Sequence, residues 1–344
     1  MTQQKIALIL GATGGIGAEV AALLDQRGWA IRALHRRPES LTGRPDRYEW
    51  VRGDAMQQAD VLQAARGVSL IVHAVNPPGY RDWAKLVLPM LDNTIHAARA
   101  SGARIVLPGT VYNYGPDTWS DISEHSAQHP QTRKGRIRAE MEARLRAASL
   151  EGVRSLIVRA GDFFGPRAAN NWFSQGLVTP GKPVTRITYP GKRGVGHQWA
   201  YLPDVAETMV RLVGQDHRLE PFAVFHMEGH WDADGAQMTR AIQRAVLSGH
   251  TRATSPGHAK PALRAFPWWF VLLASPFVTL FREMREMRYL WRVPVRMSNA
   301  RLVRVLGEEP HTPLDEAVRS TLAGLGCLNL PIGQPGSEVT SLAH

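Results

Sequence analysis

Residues 5–17, Lys-Ile-Ala-Leu-Ile-Leu-Gly-Ala-Thr-Gly-Gly-Ile-Gly, constrain the fold more than any other part of the chain. The apolar run Ile6, Ala7, Leu8, Ile9 and Leu10 reads as a strand buried on both faces, because it lacks the polar alternation of a half-exposed one. Gly11, Gly14 and Gly17 follow at once, and a helical pattern opens with Val20, Leu23 and Leu24 as its apolar positions. A strand, a glycine-rich turn and a helix in that order build a site for a pyrophosphate. Missing Cβ atoms let the backbone approach the phosphates, and the helix N-terminus offers free N–H groups and partial positive charge. The residues expected to line this cradle are Gly11, Thr13, Gly14, Gly15, Ile16 and Gly17.

The rest of the first half alternates strand and helix. Residues 29–35, 48–52, 69–74, 104–107 and 153–159 read as strands, with helices over about 57–66 and 82–100. This alternation calls for a parallel sheet with helices on both faces, an α/β fold of the Rossmann-type, doubly wound kind. Ligands in such sheets bind beyond the carboxyl ends of the strands. The second strand ends in His35-Arg36-Arg37, where an acidic residue would favour a free adenosine ribose and an arginine suits a 2′-phosphate. Arg36, supported by Arg37, therefore points to NADP rather than NAD. Asp54 and Ala55 close the third strand, with Asp54 suited both to capping the next helix and to the adenine amino group. Ala74, Val75 and Asn76 leave the fourth strand beside the expected nicotinamide ribose, and Asn76 and Pro77 face the substrate side.

These features resemble the extended short-chain dehydrogenase/reductase superfamily, in its NAD-dependent epimerase/dehydratase branch, over residues 5–320. The resemblance rests on Gly11-Ala-Thr-Gly14-Gly15-Ile-Gly17, on Gly53-Asp54 and on the exit of the fifth strand, Pro108-Gly-Thr110-Val-Tyr112-Asn-Tyr114-Gly115. It continues through Arg159 to Gly165-Pro166, and through Trp199-Ala-Tyr201-Leu-Pro-Asp204. It implies a Ser or Thr after the fifth strand, here Thr110, and a Tyr-x-x-x-Lys pair on the following helix. That helix reads Thr132-Arg-Lys-Gly-Arg136-Ile-Arg-Ala-Glu140. Aligned on Glu140, Thr132 takes the tyrosine's place and Arg136 the lysine's, so the standard pair is absent and Arg136 is left as a ribose contact. A register two residues away would bring Lys134 in. With a threonine hydroxyl too weakly acidic to serve, Tyr112 is the favoured proton donor among Tyr112, Tyr114 and Tyr201.

By resemblance, residues 1–165 form the dinucleotide-binding domain, with later strands of 195–230 returning to its sheet. Residues 166–195 and 231–328 form a smaller C-terminal substrate-binding region, and 329–344 a disordered tail. Asn170, Trp172 and Tyr201 are expected near a small-molecule substrate. Asp204 is expected to cap a helix over 205–213, and closing helices are expected over 299–306 and 314–325.

Composition narrows the remaining classes. A single cysteine, Cys327, excludes an internal disulfide and a cysteine metal site, and fits a cytoplasmic protein. His226 and His230 are four apart, but Gly229 and a strand-like context argue against a metal pair. The net charge of +11 reads as an arginine-rich surface, since no nucleic-acid-binding motif accompanies it. Residues 265–281 are apolar and interrupted by Pro267 and Pro276, with Arg282, Arg285 and Arg288 following. Three readings stand for them: a core or pocket wall, including a homodimer surface; a membrane-surface contact; or a span. Two readings stand for the whole: an NADP-dependent oxidoreductase or epimerase-type enzyme acting on a hydroxyl or carbonyl by hydride transfer, or a non-catalytic NADP-binding sensor or scaffold.

Overall fold

The computed structural model describes residues 4–41, 47–77, 83–119, 121–168, 171–248 and 260–328. Seven parallel strands form the central sheet. They are β1 (Ile6–Leu10), β2 (Ala30–His35), β3 (Glu49–Arg52), β4 (Leu70–His73), β5 (Arg104–Gly109), β6 (Ser155–Arg159) and β10 (Phe222–His226), in the order β10-β6-β5-β4-β1-β2-β3. The order reverses between β1 and β4, whose registers run from Ala7 opposite Leu70 to Leu10 opposite His73. In sheets of this kind ligands bind beyond the carboxyl ends of the strands at such a reversal.

Alternate side chains of β1 feed two separate cores. Ala7 and Ile9 pack on one face with Val20 and Leu24 of α1 (Gly15–Gln26) and with Val205 and Met209 of α5 (Leu202–Gly214). Leu8 and Leu10 pack on the other with Val61 of α2 (Gln58–Ala64), Leu91 of α3 (Trp83–Ser101) and Leu145 of α4 (Arg133–Leu150). This two-sided burial is why the strand is continuously apolar.

Within the 195–230 stretch expected to return to the sheet, β10 does so at the edge, beside β6. By contrast, β9 (His197–Tyr201) lies between β7 (Asp162–Phe164) and β11 (His230–Asp232) in a separate three-stranded sheet. That sheet, with β8 (Arg186–Tyr189), β12 (Ala262–Ala265), α6 (Gln237–Ser248) and α10 (Leu314–Gly324), encloses a third core rich in aromatic side chains. Trp291 is its hub, 1% exposed, stacked flat on the His197 ring at 3.9 Å and meeting Trp172 edge-on at 5.2 Å.

Two expected helix starts differ in detail. Asp54 does not cap α2; its carboxylate accepts from Met56 N at 3.0 Å in a local turn, and Gln57 precedes the helix. Asp204 lies inside the first turn of α5, which starts earlier, at Leu202. Its carboxylate accepts from the backbone N–H and hydroxyl of Thr312 at 2.8 and 2.7 Å, tying down the segment between α9 (Ala300–Leu306) and α10.

The apolar 265–281 stretch forms α7 (Trp268–Ala274) and enters α8 (Thr279–Glu286), with Pro276 between them. Only part of it is a wall: Val271 is buried, while Trp269 is 71% exposed and Phe277 88% exposed. No described helix is long and apolar enough to cross a membrane. The terminal tail, residues 329–344, lies outside the described residues.

Candidate active site

The glycine turn after β1 closes tightly. Gly11 sits at φ +93°, a conformation that costs little only without a side chain, and a Cβ there would lie 2.6 Å from the Ala74 carbonyl oxygen at the exit of β4. A Cβ on Gly17 would meet the Gly11 carbonyl oxygen at 2.2 Å. Gly14 N donates to that same oxygen at 2.9 Å and, as the residue before α1, brings no capping side chain. The first turn of α1 carries no acidic residue. The opposite wall is the loop after β7 and the start of α5, where Ala168 Cα and Leu202 Cδ1 lie 3.5 and 3.0 Å from a Cβ built on Gly15. Thr13, Gly14, Gly15 and Ile16 line this slot with backbone rather than bulk, as a pyrophosphate requires.

Further along the carboxyl edge of the sheet, Arg36 and Arg37 are both exposed after β2. Arg52 is engaged with Glu39 at 2.9 Å, whereas Arg36 has no ion-pair partner among the described residues. The Asp54–Ala55 turn is held in place by Asn93, whose side-chain amide donates to the Ala55 carbonyl at 2.9 Å. On the β4 side, Ala74 and Val75 border Gly11, and Asn76 accepts from the Trp83 indole N–H at 2.7 Å. Pro77 is buried beside it.

Thr110 follows β5, with its hydroxyl 3.4 Å from Asn113 Oδ1 and its carbonyl accepting from Arg159 Nη1 at 2.6 Å. Arg159 belongs to a connected, buried polar network. It donates to Glu142 at 2.7 Å and to His226 Nε2 at 3.1 Å; Gln128 donates to Glu142 at 2.7 Å and accepts from Asn113 at 2.9 Å. Tyr114 completes it, with its hydroxyl 3.0 Å from His226 Nε2. Burial pushes the Tyr114 phenol up to about 12, and burial together with the Arg159 charge drives His226 well below its usual value. Tyr114 is 1% exposed and held inside this network. Tyr201 is likewise packed away, 5.3 Å from the Phe164 ring, and burial raises its phenol too. Tyr112 lies partly buried beside the cluster of Val111, Met287 and Leu290. Trp172 sits in the aromatic core between Trp268 and Trp291, and Asn170 lies outside the described residues.

The start of α4 departs from the expected register. Thr132 is the residue before the helix, and its hydroxyl accepts from Gly135 N at 2.9 Å. Arg136, expected as a ribose contact, is exposed and donates to the Gln131 carbonyl at 3.1 Å, on a groove it shares with His125 and Phe222 near the β10 edge. The physical reason is helix rotation: positions two apart point about 200° apart, so if 132 and 136 face outward, 134 and 138 face inward. Lys134 is 4% exposed, with Nζ 3.2 Å from Glu283 of α8. The Arg138 guanidinium lies 5.3 Å over the Trp83 ring, on the β4 side. Burial, with the charge of Arg138, pushes His73 at the end of β4 down to about 3. Sequence reasoning passed over Arg138, Glu142 and Glu283; the signal available was Thr132 itself, a residue type that starts helices rather than filling them.

Among the described residues, no group of three metal-binding side chains gathers. The family model for NAD dependent epimerase/dehydratase matches residues 7–246. The chain belongs to this family. Its fold is similar to that of the Bordetella bronchiseptica enzyme WbmH, solved with NAD+, at 18% identity and TM-score 0.65, covering 94% of this chain and 98% of that one. It is also similar to a UDP-N-acetylglucosamine 4-epimerase from Bacillus cereus, at 17% identity and TM-score 0.68, covering 96% and 99%. A shorter stretch of 97 residues is 37% identical to a (4-alkanoyl-5-oxo-2,5-dihydrofuran-3-yl)methyl phosphate reductase of Streptomyces griseus subsp. griseus. That match spans 28% of this epimerase/dehydratase family member and 31% of the reductase. The family's nicotinamide cofactor fits the glycine turn, where the space a Cβ would fill at Gly11 and Gly17 is already taken by backbone.

Proposed function

We propose that this protein is an NADP-dependent oxidoreductase acting on a carbonyl or hydroxyl group of a small organic molecule. The observation that carries the reading is Arg36: an exposed guanidinium with no ion-pair partner among the described residues, at the end of β2, on the same carboxyl edge of the sheet as the glycine cradle. A forked cation held free at that point suits a 2′-phosphate. When bound, the nicotinamide supplies or accepts the hydride. The chain's own residues do the rest. Backbone N–H groups at Gly14–Gly17 receive the pyrophosphate, Asp54 keeps one carboxylate oxygen for the adenine amino group, and Thr110 offers a hydroxyl to the substrate oxygen. The name of the Streptomyces relative, a reductase of a phosphorylated lactone, supports reduction as the favoured direction.

The sensor or scaffold reading draws support from one observation, that Thr132 is spent as a helix cap and has no acidity to offer. One measurement tests the cofactor assignment, which both readings share, and a second, turnover, separates them. NADPH binding should exceed NADH binding, and Arg36→Asp should lower that preference about tenfold or more. Absorbance at the reduced-nicotinamide band should fall with at least one member of a panel of aldehydes, ketones and unsaturated lactones. Equal affinity for both cofactors, unchanged in Arg36→Asp, would overturn the NADP assignment.

A further inference from the structure

The family pair that α4 lacks by the expected alignment has a counterpart on the helix face that meets Glu283 of α8 and Trp83 of α3. Lys134 and Arg138 are one helical turn apart and share that face, opposite Thr132 and Arg136. Gly135, between them, is packed so closely that a Cβ would lie 2.2 Å from the Tyr112 carbonyl oxygen, which seats the first turn of α4 on the turn that begins at Thr110. Arg138 reaches toward β4: it covers the ring of Trp83, whose N–H holds Asn76, and its charge is felt at His73. Since β4 is the neighbour of β1 at the reversal of strand order, Arg138 lies beside the point where sheets of this kind take their ligand.

We infer that Lys134 is the proton donor and acceptor of this protein and that Arg138 is the fixed cation holding the nicotinamide ribose, with Glu283 as the positioning residue of Lys134. The inference rests on the oxidoreductase reading above. The balance of the step is simple. In reduction, the carbonyl π bond opens, its carbon takes the hydride of the reduced nicotinamide, and its oxygen takes a proton from Lys134 Nζ. Lys134 is left as a neutral amine and regains its proton from solvent; oxidation runs in reverse. A guanidinium in the same place has no proton to release at neutral pH, so Arg138 supplies charge alone. Lys134 is poised for exchange by opposing influences. Burial lowers its proton affinity, Arg133 lowers it further, and Glu283 and Glu286 raise it.

The pair makes unequal demands on variants. Dissociation constants for NADPH, measured by its fluorescence on binding, should rise about tenfold or more in Arg138→Gln and stay within about twofold in Arg136→Gln. With the carbonyl panel, Lys134→Gln should lose about a hundredfold or more in kcat while KM for NADPH stays within about threefold. Lys134→Arg keeps a cation for Glu283 but should not restore turnover. Should Lys134→Gln fail to fold by circular dichroism, Lys134→Arg alone carries the comparison. Three results overturn the inference: weakened binding in Arg136→Gln with none in Arg138→Gln, turnover restored by Lys134→Arg, or NADPH binding by the wild type with no panel member reduced. A wild type that binds no NADPH overturns instead the reading on which the inference stands.

Discussion

Arg159 and Glu142 meet at 2.7 Å with the arginine side chain wholly out of water and the carboxylate nearly so. One comes from the end of β6 and the other from the third turn of α4, so the pair fixes α4 to the sheet. Removing one partner of a buried pair strands the other charge, at a cost of about 3–5 kcal/mol. Glu142→Ala should show a loss of that size in urea unfolding, and the neutral Glu142→Gln a smaller one, because its amide oxygen still accepts from Arg159.

Stability should fall on the acid side. His73 has a native pKa of about 3, His230 about 4, and His226 one well below 6.5, each mainly through burial. Below about pH 6.5 the unfolded chain therefore binds protons that the native state refuses, and stability declines until the native values are reached. Each histidine contributes at most about 1.4 kcal/mol per pH unit. The three histidines together should lower the unfolding free energy read by urea titration by up to about 6 kcal/mol between pH 7 and pH 5, and His73→Asn should flatten the difference.

The cradle tolerates no added carbon. Gly17→Ala would press a methyl group against the Gly11 carbonyl oxygen, at 2.2 Å before any relaxation, and backbone must shift to relieve it. NADPH affinity should fall about a hundredfold, read by titration calorimetry, a loss of about 2.7 kcal/mol. Gly28→Ala is the control. Gly28 has a φ of +80°, but nothing lies within 4 Å of its Cβ position, so the change should cost about 1 kcal/mol of stability and leave binding intact.

Aromatic residues close together in sequence should divide sharply. Trp291→Ala removes the hub stacked on His197 and should cost about 3–5 kcal/mol. Phe277→Ser and Trp269→Ser replace side chains already mostly in water and should change the melting free energy by less than about 0.5 kcal/mol.

The parallel sheet and the glycine turn were legible in the sequence because their cause is local. Gly11 must avoid Ala74, and β1 must be apolar on both faces, whatever follows later in the chain. The register of α4 was not legible in the same way. Between Arg133 and Arg146 its basic residues fall on every side, with Arg133, Lys134, Arg136, Arg138, Arg144 and Arg146 leaving no clean apolar stripe to mark the inward face. What orients the helix is remote: Glu283 at Lys134, Arg159 at Glu142 and Trp83 beneath Arg138. The stretch 265–281 stayed open among three readings for the opposite reason. Its composition matches a wall, but Pro276 breaks it into two short helices that do not bury all its apolar surface together.

The contact between α8 and the start of α4 also has a bearing on synthesis. Glu286 accepts backbone N–H groups of Arg133 and Lys134, and Glu283 accepts the Arg133 and Lys134 side chains, across about 150 residues of chain. As the chain leaves the ribosome, the strands around the glycine cradle can pair long before residue 283 exists. A nascent chain halted ahead of α8 has a place for the dinucleotide but no anchor for Lys134. The glycine turn is an early product of translation, and the anchored start of α4 is a late one.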